Sequence, residues 1–252
     1  MTHRGNNGNV ESNITLAVAA KVDSLSLAAR LIGKVLTIVH RILGWHRYDD
    51  FRMEQVLDTP IIVTPSVFNP KLLRTGEFFA AQIKIMQIPL GWDVLDMGTG
   101  SGVCAIFAAR QARRVVAADI NIAAVRCAEI NARLNRLEAK IEVRHGDLFA
   151  SVPTERFDLI LFNPPFLRGV PLDDRDRAWR SSDVAERFAV GLGDHLKPGG
   201  YALVLLSTFG GGRQFLDAFC KRGLTISVHA ERRFINERLT IFKILTADTK
   251  SV

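Results

Sequence analysis

Between Val94 and Val103 the chain reads Val-Leu-Asp-Met-Gly-Thr-Gly-Ser-Gly-Val, an apolar run that meets an acid and then passes through glycines at alternate positions. Gly98, Gly100 and Gly102 leave the backbone able to turn sharply and to approach a bound molecule closely. Helical spacing resumes at about Gly102, so the segment predicts a buried strand, a tight loop and a helix in succession. That order is the opening of a parallel strand–helix–strand unit.

The rest of the chain repeats the alternation. Val115-Val-Ala-Ala reads as a strand, the stretch from Ile122 to Leu134 as a helix, and Ile141-Glu-Val-Arg and Leu159-Ile-Leu-Phe162 as further strands. A helix is expected around Asp183 to Leu196, stopped by Lys197-Pro-Gly-Gly, with Tyr201-Ala-Leu-Val-Leu-Leu as another buried strand. Leu224-Thr-Ile-Ser-Val-His and Leu239-Thr-Ile-Phe-Lys-Ile-Leu have no helix between them and should pair antiparallel. The fold class is therefore α/β: a doubly wound, mostly parallel sheet with a terminal antiparallel hairpin.

Ahead of this unit, residues 1–55 read as a polar Gly/Asn-rich tail and an amphipathic helical cap, and residues 56–252 as one domain. In the cap, Ile32, Val35, Leu36, Val39, Ile42 and Leu43 form a stripe with Lys34 and Arg41 off it. Such a helix lies either on a membrane or partner surface or against the protein's own core. A polar connection from His46 to Glu54 leads to a short strand at Ile61-Ile-Val and a turn-rich stretch through Asn69-Pro70.

Composition narrows the class. With 252 residues, 48% of them hydrophobic and 23% charged, the chain is neither disordered nor fibrous. A net charge of +7 favours anionic partners such as RNA, DNA or an acidic protein surface. Cys104, Cys127 and Cys220 form no C-x-x-C pair, so no metal site or disulfide framework is expected and a reducing, cytoplasmic setting fits. No run approaches the roughly 18 apolar residues of a spanning helix, so no integral membrane association is expected.

The motifs point to a nucleoside-bearing ligand. In a nicotinamide-type G-x-G-x-x-G the third glycine would fall at Val103, and no G-K-[ST] is present to hold a triphosphate. Asp119, 23 residues beyond Asp96 at the next strand end, is placed to accept hydrogen bonds from ribose hydroxyls. Asp147, in His145-Gly-Asp-Leu-Phe, ends the third strand and could accept from an adenine amino group. After the fourth strand comes Asn163-Pro-Pro-Phe166, where two prolines fix an extended backbone and remove two donors. The Asn163 amide and the Pro164 carbonyl can then accept from a substrate NH2, with Phe166 offering a face to a planar group.

On these residues the chain resembles a class I S-adenosylmethionine-dependent methyltransferase with an N-P-P-[FY] motif, and within that group the HemK-type (PrmC-like) glutamine methyltransferases of peptide release factors. The similarity runs from about Thr64 to Leu245 and includes Val67-Phe-Asn-Pro-Lys-Leu-Leu-Arg-Thr75 and Lys197-Pro-Gly-Gly. It implies a Rossmann-like sheet of seven strands and S-adenosyl-L-methionine as cofactor. It also implies that Asp96, Gly98, Thr99, Gly100 and Gly102 pass under the methionine moiety, Asp119 and Ile120 hold the ribose, and Asp147 and Leu148 meet the adenine. Asn163, also beside the cofactor, would with Pro164, Pro165 and Phe166 form the catalytic motif, and Phe68, Pro70, Thr75 and Phe166 would line the substrate side.

Relatives of the bacterial type carry a separate N-terminal substrate-gripping domain, whereas only about 55 residues precede the matched region here. Shorter relatives work with a small zinc-containing activator protein. The resemblance thus implies N-methylation of a glutamine amide in a protein such as a release factor, with a small activator as a possible partner. Two alternatives are methylation of an exocyclic amino group of a base in rRNA, tRNA or DNA, and N-methylation of a small molecule. The charged stretch from Leu167 to Arg187 is read either as a substrate-gripping lid or as a solvated face, and Arg110, Arg113, Arg114, Arg126 and Arg133 as a face that could meet nucleic acid.

Overall fold

A computed structural model describes residues 50–71, 74–165, 167–168, 180–181, 183–208, 210, 212–235 and 237–246. The expected N-terminal tail and helix, Phe166 and most of the charged stretch after it lie outside the described residues. The chain opens with a two-stranded hairpin, β1 (Arg52–Val56) and β2 (Thr59–Val63), followed by α1 (Thr75–Ile85). Then come β3 (Asp93–Met97), α2 (Val103–Ala109), β4 (Arg114–Asp119), α3 (Ile122–Leu134), β5 (Ile141–His145), a one-turn 3-10 helix (Leu148–Ser151) and β6 (Phe157–Phe162). Two-residue strands β7 (Leu167–Arg168) and β8 (Arg180–Ser181) precede α4 (Val184–His195), β9 (Leu196–Ser207), α5 (Gly212–Lys221), β10 (Thr225–Arg233) and β11 (Arg238–Leu245).

The seven-stranded sheet has the order β10-β11-β9-β6-β3-β4-β5. Strands β9, β6, β3, β4 and β5 are parallel, and β11 inserts antiparallel between β9 and β10. The expected terminal hairpin is therefore present, with its second strand rather than its first against the parallel block. Strand alternation divides the core in two. Val94, Val115, Ala117, Leu159, Leu161 and Leu203 point to one face, against Phe79, Ile83, Phe107 and Cys127 of α1, α2 and α3. Their neighbours Leu95, Met97, Val116, Ile160, Phe162 and Val204 point to the other, against Phe188, Leu192, Phe215 and Phe219 of α4 and α5. Burial on both faces is why these strands read as continuous apolar runs.

Two local expectations are corrected. The stretch read as a polar connection up to Glu54 contains β1, whose Met53, Glu54 and Gln55 pair with Ile62, Ile61 and Pro60 of β2. The helix does end just before Lys197-Pro-Gly-Gly, as expected, but that segment already belongs to β9, which pairs at Leu196 with Phe157 rather than starting at Tyr201. The register resumes at Leu159–Tyr201, so the intervening residues bulge, with Gly199 left-handed at φ 79° and a Cβ on Gly200 excluded by the Phe157 carbonyl oxygen at 2.9 Å. Lys197 Nζ donates to Asp93 Oδ2 and Asp158 Oδ2 at 2.8 and 2.7 Å, and Arg113 joins Asp93. These groups sit where β3 and β6 begin, away from the strand ends that carry the chemistry. Of the arginines read as a face for nucleic acid, Arg110 bonds Asp58 and Thr59, and Arg114 pairs with Glu142 and Glu155. With Arg113, these three arginines serve intramolecular pairs.

Candidate active site

The carboxyl ends of β3, β4, β5 and β6 open side by side, which is where an α/β sheet of this kind binds its ligand. At the end of β3, Asp96 is buried, and its Oδ2 accepts from Thr99 Oγ1 at 2.6 Å and from the Ala105 amide at 3.0 Å. The carboxylate thus ties the start of α2 to the strand. Gly98 and Gly100 are left-handed, with φ 63° and 55°. A Cβ on Gly100 would meet no atom within 4 Å, so this glycine faces open space. Gly102, at φ 80°, serves packing instead. Its Cβ would lie 3.1 Å from the Ala128 Cα, and the glycine lets α2 lie against α3.

Asp119, half-buried at the end of β4, accepts from the Gly100 amide through Oδ2 and from the Asn121 amide through Oδ1, each at 2.9 Å. Asn121 caps α3 by accepting from the Ala123 amide and donates Nδ2 to the Ser66 carbonyl at 3.1 Å, drawing the 66–70 loop over the strand ends. Asp147 follows β5, and its Oδ2 accepts from Arg187 Nη2 at 2.7 Å.

At the end of β6, Phe162 packs against the rings of Phe188 and Phe215, and Asn163 follows it with Oδ1 buried and without a hydrogen-bond partner among the described residues. Pro164 is buried and Pro165 half-buried beside it. Opposite, Pro70 lies against Gly76, where a Cβ would come within 2.6 Å of the Pro70 Cβ; only glycine allows the loop this close to α1. Asn69 fixes the loop by donating to Glu54 Oε1 at 2.8 Å and accepting from the Lys71 amide. Thr75 is buried, with Oγ1 unpartnered among the described residues.

Together these residues enclose a cavity of about 370 Å³. Asp96, Gly98, Thr99, Gly100, Asp119 and Ile120 line one part, and Asp147 and Leu148 line the next. Asn163, Pro164 and Pro165 face it along with Phe68 and Pro70. Of the other expected site residues, Gly102 and Thr75 are not among its lining, and Phe166 lies outside the described residues. Ser66, Cys104, Asn121 and Arg187 line it without having been singled out as ligand-binding from the sequence. Of these, Asn121 had a legible signal as the cap residue before an apolar helical repeat. His145 and His195 do not line it; His145 Nε2 meets the Ile120 carbonyl at 2.9 Å, and His195 stacks on Phe149.

The cavity's electrostatics suit a ligand carrying positive charge and hydroxyl groups. Burial pushes Asp96 up to about 7, opposed by its bonds from Thr99 and Ala105, and the nearby Asp119 adds to the rise. Burial also raises Asp119, against the pull of the Asn121, Gly100 and Ile120 amides. A cation brought beside these carboxylates would favour their charged form and so offset the desolvation that raises them. At the far end, the unsatisfied Asn163 oxygen wants a donor.

Residues 59–232 match the family described as methyltransferase small domain. A release factor glutamine methyltransferase of Koribacter versatilis is 34% identical over 159 residues, which is 57% of this chain and 56% of that protein. A protein of Methanocaldococcus jannaschii, whose name provisionally places it among the protein N5-glutamine methyltransferases, is 32% identical over 182 residues, 69% of this chain and 91% of that one. The chain thus spans little more than half of the first relative and most of the second. Among solved structures, the T. thermophilus 16S rRNA N2 methyltransferase in complex with AdoMet and guanosine shares the fold, with a TM-score of 0.59 and 23% identity over 78% of this chain and 50% of that one. No helix among the described residues is long and apolar enough to cross a membrane.

Proposed function

The chain belongs to the methyltransferase small domain family, and from that premise we propose that it transfers a methyl group from S-adenosyl-L-methionine to the side-chain amide nitrogen of a glutamine in a protein. The observation that carries the acceptor chemistry is at Asn163, which lines the cavity at the end of β6 and whose Oδ1 is buried with no hydrogen-bond partner among the described residues. An amide NH2 has two hydrogens to donate; Asn163 Oδ1 takes one and the Pro164 carbonyl the other. The relatives named as glutamine methyltransferases support a protein amide as the acceptor.

S-adenosyl-L-methionine, when bound, supplies an electrophilic methyl on a sulfonium. The chain's own residues orient and stabilise. Gly98 and Gly100 would let the loop approach the methionine portion, Asp96 would offer a carboxylate to its ammonium group, and the outer lone pairs of Asp119 would accept from the ribose hydroxyls. Asn163 and Pro164 would align the acceptor nitrogen and stabilise the positive charge that grows on it as the N–C bond forms and the methyl–sulfur bond breaks, after which the nitrogen gives up one proton to water. No strong general base is needed in this scheme, in accord with the engagement of His145 and His195 elsewhere.

The test is transfer of labelled methyl from S-adenosyl-L-methionine into fractionated extract, with protease and nuclease arms. Label in a protease-sensitive band that yields N5-methylglutamine on hydrolysis supports the proposal; label confined to nucleic acid overturns it. The net charge of +7 favours a second reading, methylation of an exocyclic amino group of a base, because the same pair of acceptors suits either planar NH2. Loss of label on nuclease treatment would select it. Need for a small activator protein would appear as labelling by extract-purified enzyme that the recombinant chain alone does not reproduce.

A further inference from the structure

The ion pair between Arg187 and Asp147 joins the first turn of α4 to the end of β5, across 40 residues of chain, and both partners line the cavity. The backbone under Asp147 is already fixed. A Cβ on Gly146 would fall 2.8 Å from the Ser151 Cβ, and Leu148 is held at φ 49°, a left-handed conformation that a leucine rarely adopts. What remains undetermined at Asp147 is its side-chain torsions, and the Arg187 guanidinium sets these by binding Oδ2 at 2.7 Å. Arg187 is steadied in turn by Asp183 at 3.7 Å, one helical turn earlier.

We infer that Arg187 is a positioning residue for cofactor recognition: by holding Oδ2 of Asp147 it presents Oδ1 to the exocyclic amino group of the cofactor's adenine. This rests on the S-adenosyl-L-methionine reading above. A guanidinium has only donors, so it cannot itself accept from that amino group, and its positive charge makes it a poor direct neighbour for a sulfonium. Its effect on that amino group is therefore exerted through the carboxylate. The pairing also gives the start of α4, which follows the Asn163 motif in the chain, a direct hold on the adenine end of the cavity.

The experiment measures affinity by calorimetry for S-adenosylhomocysteine and for its inosine counterpart, which lacks the amino group, in wild type, Arg187→Ala, Arg187→Lys and Asp147→Asn. Wild type should prefer the adenosine compound. Arg187→Ala should weaken adenosine binding by about twofold to fivefold, the scale of a half-exposed ion pair, while leaving inosine binding unchanged, so that the preference shrinks. Arg187→Lys should recover part of it, and the Arg187→Ala/Asp147→Asn double variant should bind no more weakly than Asp147→Asn alone. A merely structural role would weaken both compounds equally, so an unchanged preference or additive losses overturns the inference. Absence of binding of either compound by wild type would instead remove the cofactor reading and this inference with it.

Discussion

The amide of Gly100 donates to Asp119 Oδ2 at 2.9 Å, so the glycine loop after β3 and the acidic end of β4 are one hydrogen-bonded unit. The carboxylate proposed to receive the ribose also holds the loop proposed to lie beneath the methionine portion. Asp119→Ala should therefore weaken cofactor binding by more than one lost contact, with Kd rising at least about tenfold, the scale of a hydrogen bond to a charged group. Calorimetric titration with S-adenosyl-L-methionine checks this, and a Kd within twofold of wild type would refute it.

Asn163 has the opposite profile. The residue lines the cavity and its buried oxygen has no partner among the described residues, so on the proposed mechanism Asn163→Ala should cut kcat by about a hundredfold to a thousandfold. Cofactor Kd should stay within about twofold. Steady-state kinetics beside calorimetry separates the two quantities, and normal turnover in this variant would end the proposed mechanism.

Asp96 makes the stability of the ligand-free protein depend on pH. Its carboxyl is raised from 3.8 to about 7 chiefly by burial, so between roughly pH 4 and 7 the folded state holds a proton that the unfolded state has released. This contribution to stability is present in full below pH 4 and is lost as pH rises through about 7, a swing on the order of a few kcal/mol. Asp96→Asn, which cannot ionise, should flatten the pH dependence of urea unfolding across that window. An unchanged slope would mean that the carboxyl titrates near its ordinary value.

Asn131 of α3 is fully buried and clamps three segments: Oδ1 accepts from the Ile62 amide at 2.7 Å, and Nδ2 donates to the carbonyls of Ile62 and Ser101 at 2.6 and 2.9 Å. Asn131→Ala strands buried backbone groups of β2 and of the glycine loop. A loss of about 3 kcal/mol, seen as a fall in Tm of roughly 5–10 °C, is expected by scanning calorimetry. A change below about 1 °C would show that water replaces the amide at no cost.

Much of the sheet was legible because its strands are buried on both faces and its helices carry their own caps. The helix read from Ile122 to Leu134 is α3 to the residue, with Asn121 as its cap. β1 was not legible, since Arg52-Met-Glu-Gln-Val has one buried residue and becomes a strand only by pairing with β2. Nor was α1 read, although its Phe78, Phe79 and Ile83 follow helical spacing, nor α5, where Phe215, Leu216 and Phe219 do the same. Lys197-Pro-Gly-Gly carries every mark of a turn, and only the pairing of Leu196 with Phe157 makes it a bulge in β9.

The sequence by itself determined the alternation of strands and helices from β3 to β6, the acids at successive strand ends and the Asn-Pro-Pro step after β6, because these follow from local spacing and backbone restriction. The tertiary structure alone decided that Gly100 faces open space while Gly102 serves helix packing, that Asp96 is held near neutrality, and that Asp147 is bound by an arginine 40 residues away. Those properties depend on distances between segments remote in the chain and on how much water reaches a charge, and neither is encoded in the spacing of residues along it.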